Sequence, residues 1–90
     1  MTIAQVDLLT DQGNNAVLRL PGRMSPGVLV QGDSLFRLSE QVAEAIGDLA
    51  QSDYEGAIEV LRGVAGELNE MRERYEEALR QHAMPLPYRG

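Results

Sequence analysis

The sequence predicts an α+β fold, in which a small antiparallel sheet of about three strands precedes an antiparallel helical hairpin with a long second helix. Short apolar runs separated by Pro-Gly and Asn-rich turns fill residues 1–32, a pattern typical of strands. Apolar residues spaced alternately by three and four fill residues 33–82, as in helices buried along one side. We expect a single domain, 1–90, ending in a proline-containing tail at residues 83–90.

Each strand is predicted from a short β-prone run. The first covers residues 2–10, and an Asn-rich turn returns the chain into a second strand at residues 16–20. Two Pro-Gly pairs then break the chain, because proline lacks the amide hydrogen that a central strand needs. A continuously apolar third strand at residues 28–31 is typical of a strand covered on both faces or lying under a helix.

The first helix is predicted to start at an N-cap, Asp33 or Ser34, and to end near Gln51. Ser52 and Glu55 then form a capping-box pattern that starts the second helix. The short break between the two helices favours an antiparallel hairpin. The apolar stripe of the first helix comprises Leu35, Leu38, Val42, Ala45 and Leu49, flanked by Phe36 and Ile46.

The second helix is predicted over residues 53–82 and would be about 43 Å long. Gly56, Gly63 and Gly66 weaken its first half, so we expect another backbone to approach closely there. Its heptad stripe is formed by Tyr54, Ala57, Leu61, Val64, Leu68, Met71, Tyr75, Ala78 and His82.

The far end of the second helix extends beyond the reach of the first. Its apolar residues therefore need the tail, the sheet or another subunit to cover them. We expect the tail to fold back and to place Leu86 and Tyr88 on this end, the alternative being a docking peptide for a separate partner. Charged pairs four residues apart support a solvated outer face: Glu70–Arg74, Arg72–Glu76 and Glu76–Arg80.

The net charge of −6 is concentrated in the helices, where residues 33–82 carry twelve acidic and five basic side chains. Such a surface repels phosphate, so neither nucleic acid nor an anionic membrane is expected as a partner. A basic protein is the better expectation, and the alternative is a merely solubilising face. The candidate partner-binding residues are Glu67, Glu70, Met71, Glu73, Tyr75, Glu77, Arg19 and Arg23.

Composition also limits the chemistry. Without cysteine the chain has no disulfide or thiolate site, and His82 alone is a poor metal ligand set, so we expect no cofactor and no metal. The first residues lack the features of a signal peptide, and no apolar run is long enough to span a membrane, so a cytoplasmic location is expected. All eight basic residues are arginine, which is compatible with a GC-rich bacterium.

One tetrapeptide resembles a catalytic signature. Residues 32–35 read GDSL, like the GDSL esterases and lipases, and this resemblance implies Ser34 as nucleophile at a strand-to-helix turn. That family supplies a later Asp-x-x-His, whereas His82 is preceded by Leu79, so the carboxylate is missing. No catalytic residue is therefore assigned, and an ordinary helix start explains the tetrapeptide better.

Arg19, Arg23 and Arg37 form the one basic cluster that the sequence offers, around the Pro-Gly loop. They either form ion pairs with neighbours such as Asp33 or bind a small anion or an acidic peptide.

Three parts of the chain together resemble a family of small bacterial proteins of unknown function: residues 6–10, residues 19–23 with 26–35, and residues 85–88. The run PGVLVQGDSL at residues 26–35 is the most specific part. The chain departs from the pattern at Met24-Ser25, where an aromatic residue would be more typical. The resemblance implies a stand-alone bacterial cytoplasmic protein and no activity.

The first functional hypothesis is therefore a non-enzymatic protein-binding or regulatory module, such as a toxin-neutralising immunity partner. The alternative is a self-assembling structural protein whose heptads serve only a homo-oligomer, and a small hydrolase using Ser34 is a remote third. Open sheet edges and an uncovered helix end favour a homodimer in either of the first two cases.

Overall fold

Three short strands precede two helices in the computed structural model, which describes residues 1–89. This order confirms the predicted α+β fold with a longer second helix. The elements are β1 (Asp7–Leu8), β2 (Val17–Arg19), β3 (Gly27–Val28), α1 (Gly32–Ala50) and α2 (Tyr54–Gln81).

The strands form one antiparallel sheet in the order β1-β2-β3. Asp7 lies opposite Arg19, and Val17 lies opposite Val28. All three strands are shorter than predicted, because regular pairing extends over only two or three residues. Of the two predicted settings of the third strand, cover on both faces is wrong, since Leu29 is exposed and Val28 only half-buried. The alternative, a strand under a helix, agrees with the packing of Val28 against the core residues of α2.

A tight turn between β2 and β3 confirms the prediction that the strand ends at the first Pro-Gly pair. The Arg23 N–H donates to the Leu20 carbonyl at 3.2 Å, and Gly22 has φ +77°. That backbone conformation is one that glycine adopts without a steric penalty.

The start of α1 differs from the predicted cap. Gln31 occupies the N-cap with an extended backbone and makes no side-chain capping hydrogen bond within the described chain. Asp33 already lies in the first turn, and its carboxylate accepts the Ser34 N–H at 2.8 Å. The prediction of Asp33 or Ser34 as N-cap is therefore wrong, although a carboxylate in the first turn still complements the helix dipole.

The connection between the helices contains two caps on adjacent residues. Ser52 has φ +61°, and the Asp53 N–H donates back to the Asp48 carbonyl at 2.8 Å, which closes α1 with a Schellman-type turn. The Asp53 carboxylate then accepts the Gly56 N–H at 3.0 Å. Asp53 is therefore the N-cap of α2, and the predicted capping box of Ser52 with Glu55 is wrong.

The described chain divides into two compact units, the first comprising residues 1–30 and everything from Met71 onward, the second residues 31–70. The core of the first unit consists of Val17 of the sheet with Tyr75, Ala78 and Leu79 of α2. The sheet thus covers the end of α2 that was predicted to need a covering partner. Leu9, Val28 and Met84 pack against the same core.

The tail completes this first unit. The Tyr88 ring stacks on Tyr75 with 6.4 Å between ring centroids, and the Tyr88 hydroxyl donates to Glu76 at 2.9 Å. The prediction that the tail folds back onto α2 is confirmed for Tyr88. Leu86 remains exposed.

The second unit is the helical hairpin. Its buried residues are Ser34, Leu38 and Ala45 of α1 with Ala57 and Val64 of α2. The expected close backbone approach at the glycines is wrong: within residues 1–89, only the Asp53 side chain comes near Gly56, and nothing lies within 4 Å of a methyl group built on Gly63 or Gly66.

Candidate protein-interaction surface

Large apolar side chains are exposed along both helices of the hairpin, with exposed fractions between 39% and 63%. We call these eight residues the hairpin face. They are Leu35, Val42, Ile46 and Leu49 of α1, and Tyr54, Ile58, Leu61 and Leu68 of α2.

The hairpin face is one continuous surface. At about 100° per residue, the exposed stripe of each helix is rotated about 70° from the buried stripe of the same helix. Both rotations have the same sense along the chain, and the helices run in opposite directions. Both exposed stripes therefore lie on the same side of the hairpin.

An ion pair marks the opposite side and fixes the register of the helices. Arg37 donates to both carboxylate oxygens of Glu67, each at 2.8 Å. With that register, three levels follow one another along the hairpin face: Leu35 with Leu68, Val42 with Leu61, and Leu49 with Tyr54. Successive levels are seven residues apart, about 10 Å along each helix.

The hairpin face is large and uncharged. Each of its eight residues exposes between 39% and 63% of its surface, and large apolar side chains exposed together in this way often form a functional patch. Among the exposed positions next to the face, Ser39 and Ala65 are small and neutral, whereas Glu55 and Arg62 lie beside Ile58 at its edge. Large exposed apolar patches of this kind often mark sites where another protein binds.

The acidic residues singled out from the sequence have different environments. Glu67 is held by Arg37, whereas Glu77 pairs with Arg80 and accepts a hydrogen bond from Gln81. Glu70 and Glu73 are exposed and form no ion pair with any described residue, so the predicted Glu70–Arg74 pair is not formed there. The other two predicted pairs are also absent from the described chain, and Glu76 accepts the Tyr88 hydroxyl instead.

Two of the candidate partner-binding residues lie in the interior. Met71 and Tyr75 are buried, and the Tyr75 hydroxyl donates to the Pro26 carbonyl at 2.8 Å. The chain's own fold covers both residues, so they expose almost no surface that a separate protein could contact.

The three arginines do not act as one basic cluster. Arg19 pairs with Asp7 at 2.9 Å across β1 and β2, and Arg37 pairs with Glu67 rather than Asp33. Arg23 has no ion pair in the described part of the chain. It lines a shallow pocket of about 460 Å³ on the sheet, together with Leu18, Leu20 and Leu29.

The residues considered for chemistry are engaged locally. Ser34 is buried within α1, and the His82 Nδ1 atom donates to the Ala78 carbonyl at 2.9 Å. Among residues 1–89, no group of three or more His, Cys, Asp or Glu side chains is placed to hold a metal ion. No helix in the same residues is both long and apolar enough to cross a membrane.

The candidate partner-binding residues predicted from the sequence include none of the hairpin face, and only the self-assembly alternative assigned the heptads to an interface between copies. A usable signal was present in the width of the apolar arcs. Together, the buried and exposed apolar residues of α2 span an arc of about 160° at 100° per residue, whereas one neighbouring helix covers an arc of about 100°.

The Arg37–Glu67 pair gives a pH-dependent prediction. Hydrogen bonding from Arg37 holds the pKa of Glu67 below its ordinary value, despite an opposing effect of desolvation. A lowered folded-state pKa stabilises the hairpin above the unfolded pKa of about 4.3, and this stabilisation is lost as the pH falls through the folded pKa. We expect the NMR titration midpoint of the Glu67 carboxyl to rise in Arg37→Gln.

Arg62→Gln is the matched control for this titration, because Arg62 forms no ion pair within the described residues. It should leave the Glu67 midpoint unchanged. An unchanged midpoint in Arg37→Gln would show that the ion pair does not persist in solution.

Neither a comparison with curated proteins nor one with solved structures gives a match. A protein family described as a family of unknown function (DUF6959) matches residues 1–88, which is nearly the whole chain. The sheet, the hairpin and the tail that covers α2 all lie within the matched residues, and the chain therefore belongs to the family DUF6959.

Proposed function

We propose that this chain is a non-enzymatic protein-interaction module that binds through the hairpin face. The observation that carries the proposal is that three successive levels of large apolar side chains remain exposed on one side of two packed helices. Burying such a surface against a protein removes apolar area from water, which is the main driving force of association.

The alternative chemistry has less support. The Ser34 side chain is buried in the first turn of α1, whereas a serine nucleophile must reach its substrate. The carboxylate of the adjacent Asp33 accepts the backbone N–H of Ser34. A GDSL-type esterase therefore remains a remote alternative, and ester turnover that is abolished by Ser34→Ala would be needed to revive it.

Site-specific photo-crosslinking in host cells tests the proposal. We would place a photoreactive amino acid at Leu61, in the centre of the hairpin face, and at Gly66, which is exposed on the same helix but points away from the face. Protein adducts are expected at Leu61 and not at Gly66. Equal yields at the two positions, or no adduct at Leu61, would contradict the proposal.

A basic protein is the second candidate partner. Glu70 and Glu73 are each exposed and without an ion pair in the described chain, so their charges remain available to a cationic surface. A toxin-neutralising, immunity-type role would be one case of such binding. A complex held mainly in this way would weaken as salt rises, whereas a complex held by the hairpin face would not.

The proposed setting is the cytoplasm of a bacterium. The all-arginine basic composition and the resemblance of residues 26–35 to small bacterial proteins support it. Fractionation of host cells with a tagged chain would test the compartment directly.

A further inference from the structure

We infer that the partner on the hairpin face is a second copy of this chain, and that two hairpins pack face to face into a two-fold symmetric four-helix bundle. This inference rests on the proposed function, because it names the occupant of the same surface. It assigns the interface to Leu35, Val42 and Leu49 of α1 with Tyr54, Leu61 and Leu68 of α2.

The heptad pattern of each helix is divided between a buried and an exposed half. In α1, Leu38 and Ala45 are buried, whereas Leu35, Val42 and Leu49 alternate with them and are exposed. In a pair of helices packed as a coiled coil, both halves of the heptad face the one neighbour. In a four-helix bundle each helix has two neighbours, and each half of the heptad faces one of them.

The same division holds in α2, with the same period. Ala57 and Val64 are buried, and Tyr54, Leu61 and Leu68 alternate with them and are exposed. In both helices, therefore, one half of the apolar heptad packs within the hairpin, and the other half is available to a further antiparallel helix. A second hairpin supplies two such neighbours at once, at the same spacing.

A two-fold symmetric dimer is compatible with the arrangement of the two helices and their apolar levels. A two-fold axis lying between two stacked hairpins places every helix against antiparallel neighbours, and each helix already packs in that way within the hairpin. Because the three levels recur every seven residues on both helices, the apolar levels of one copy match those of the other.

The charge distribution favours a copy of the same chain. Two chains of net charge −6 repel each other, so any contact that buried their carboxylates would be costly. The hairpin face holds no acidic or basic side chain, and the Arg37–Glu67 pair lies on the other side. Two copies can thus meet through these eight apolar residues while Glu55 and Arg62, beside Ile58, stay at the edge of the contact, whereas a basic partner would gain no ion pair with the eight residues.

The size of the hairpin face is also that of a dimer interface. Its eight large apolar residues, together with their exposed neighbours, could supply the core of an interface to which each partner contributes about 800 Å² or less. The interface would be small but strongly apolar, as is typical of homodimers.

The test is sedimentation velocity of the purified full chain over a wide range of concentration, with three charge-adding variants. Wild-type chain and Gly66→Glu are expected to sediment as dimers, since Gly66 is exposed away from the hairpin face. Leu61→Glu should be monomeric, with the dimer dissociation constant raised about 100-fold or more. Leu20→Glu, at the exposed residue that follows β2, should remain dimeric.

Milder truncations keep the test valid if a charged variant fails to fold. Val42→Ala and Leu61→Ala remove side chains that are exposed in a single chain, so each should keep the circular dichroism spectrum. Each should also weaken the dimer by at least about tenfold.

Three outcomes would overturn the inference: a wild-type chain that is monomeric at all concentrations, a dimer that persists in Leu61→Glu, or a dimer lost only in Leu20→Glu. A monomer whose Leu61 crosslinks to a different protein would refute the second copy and leave the proposed function standing. A monomer without any Leu61 adduct would refute both.

Discussion

Leu79→Ala is expected to lower the free energy of unfolding by about 2–5 kcal/mol. The Leu79 side chain is 0% exposed and packs in the core of the first unit with Val17, Tyr75 and Ala78. Truncation removes buried methyl groups and leaves a cavity between α2 and the sheet. A chain of this length has only about 5–13 kcal/mol of total stability, so the loss is a large fraction of it. Urea unfolding followed by circular dichroism measures the change.

Met24→Ala is the matched control, because Met24 is also in the first unit but is 93% exposed. Its effect should stay within about 0.5 kcal/mol. Amide hydrogen exchange adds a local measure, and residues of the sheet should lose protection in Leu79→Ala. A loss as small as that of the control would show that Leu79 is not part of a packed core in solution.

The order and type of the elements could be predicted from the sequence because periodicity records them directly. Alternation of three and four residues continues without interruption from Leu35 to Leu49 and from Tyr54 to Ala78, and helices cover both stretches. The strands were predicted too long because apolar residues near the N-terminus, such as Ile3, are β-prone without being paired. Strand propensity is a property of a single residue, whereas a strand forms only where a second strand pairs with it.

The caps were harder to predict because several residue types compete for the same role. Ser52 and Asp53 are both strong N-cap residues, and Ser52 with Glu55 matched the capping-box pattern. The structure uses Asp53 as the cap and gives Ser52 a positive φ. That conformation usually indicates glycine, so the end of α1 had no reliable signal in the sequence.

Ala83 repeats this situation at the end of α2. It has φ +53°, and the Met84 N–H donates back to the Leu79 carbonyl at 2.9 Å. The turn directs the tail back along the helix, toward the stacking of Tyr88 on Tyr75. Folding back of the tail could be predicted from exposed apolar residues on α2, although the turn itself could not.

The candidate surface was only partly predictable, because a heptad gives the angle of a side chain and not the identity of its neighbour. Val42 and Leu61 have the same residue types and spacings as the buried Leu38 and Val64. Which half is buried depends on the rotation of each helix about its axis. That rotation is set by tertiary contacts such as the Arg37–Glu67 pair, which join residues far apart in sequence.

Tyr75→Phe is expected to cost about 1–3 kcal/mol of unfolding free energy, although it removes only one oxygen atom. The buried Tyr75 hydroxyl donates to the Pro26 carbonyl at 2.8 Å and joins α2 to the loop before β3. Phenylalanine leaves that carbonyl without its donor, away from water that could replace it. Tyr88→Phe is the comparison, because the Tyr88 hydroxyl bonds Glu76 at an exposed position and should cost less than about 1 kcal/mol.

The same hydroxyl gives a pH dependence whose direction follows from its burial. Burial raises the pKa of Tyr75 above its ordinary value. A raised folded-state pKa means that the stabilisation is complete below the unfolded pKa of about 10 and is lost as the pH rises through the folded pKa. Wild-type stability should therefore decline at alkaline pH, and Tyr75→Phe should decline less steeply because it has one ionisable phenol fewer. Urea unfolding across the alkaline range measures both slopes, and equal slopes would mean that the Tyr75 phenol is not buried in solution.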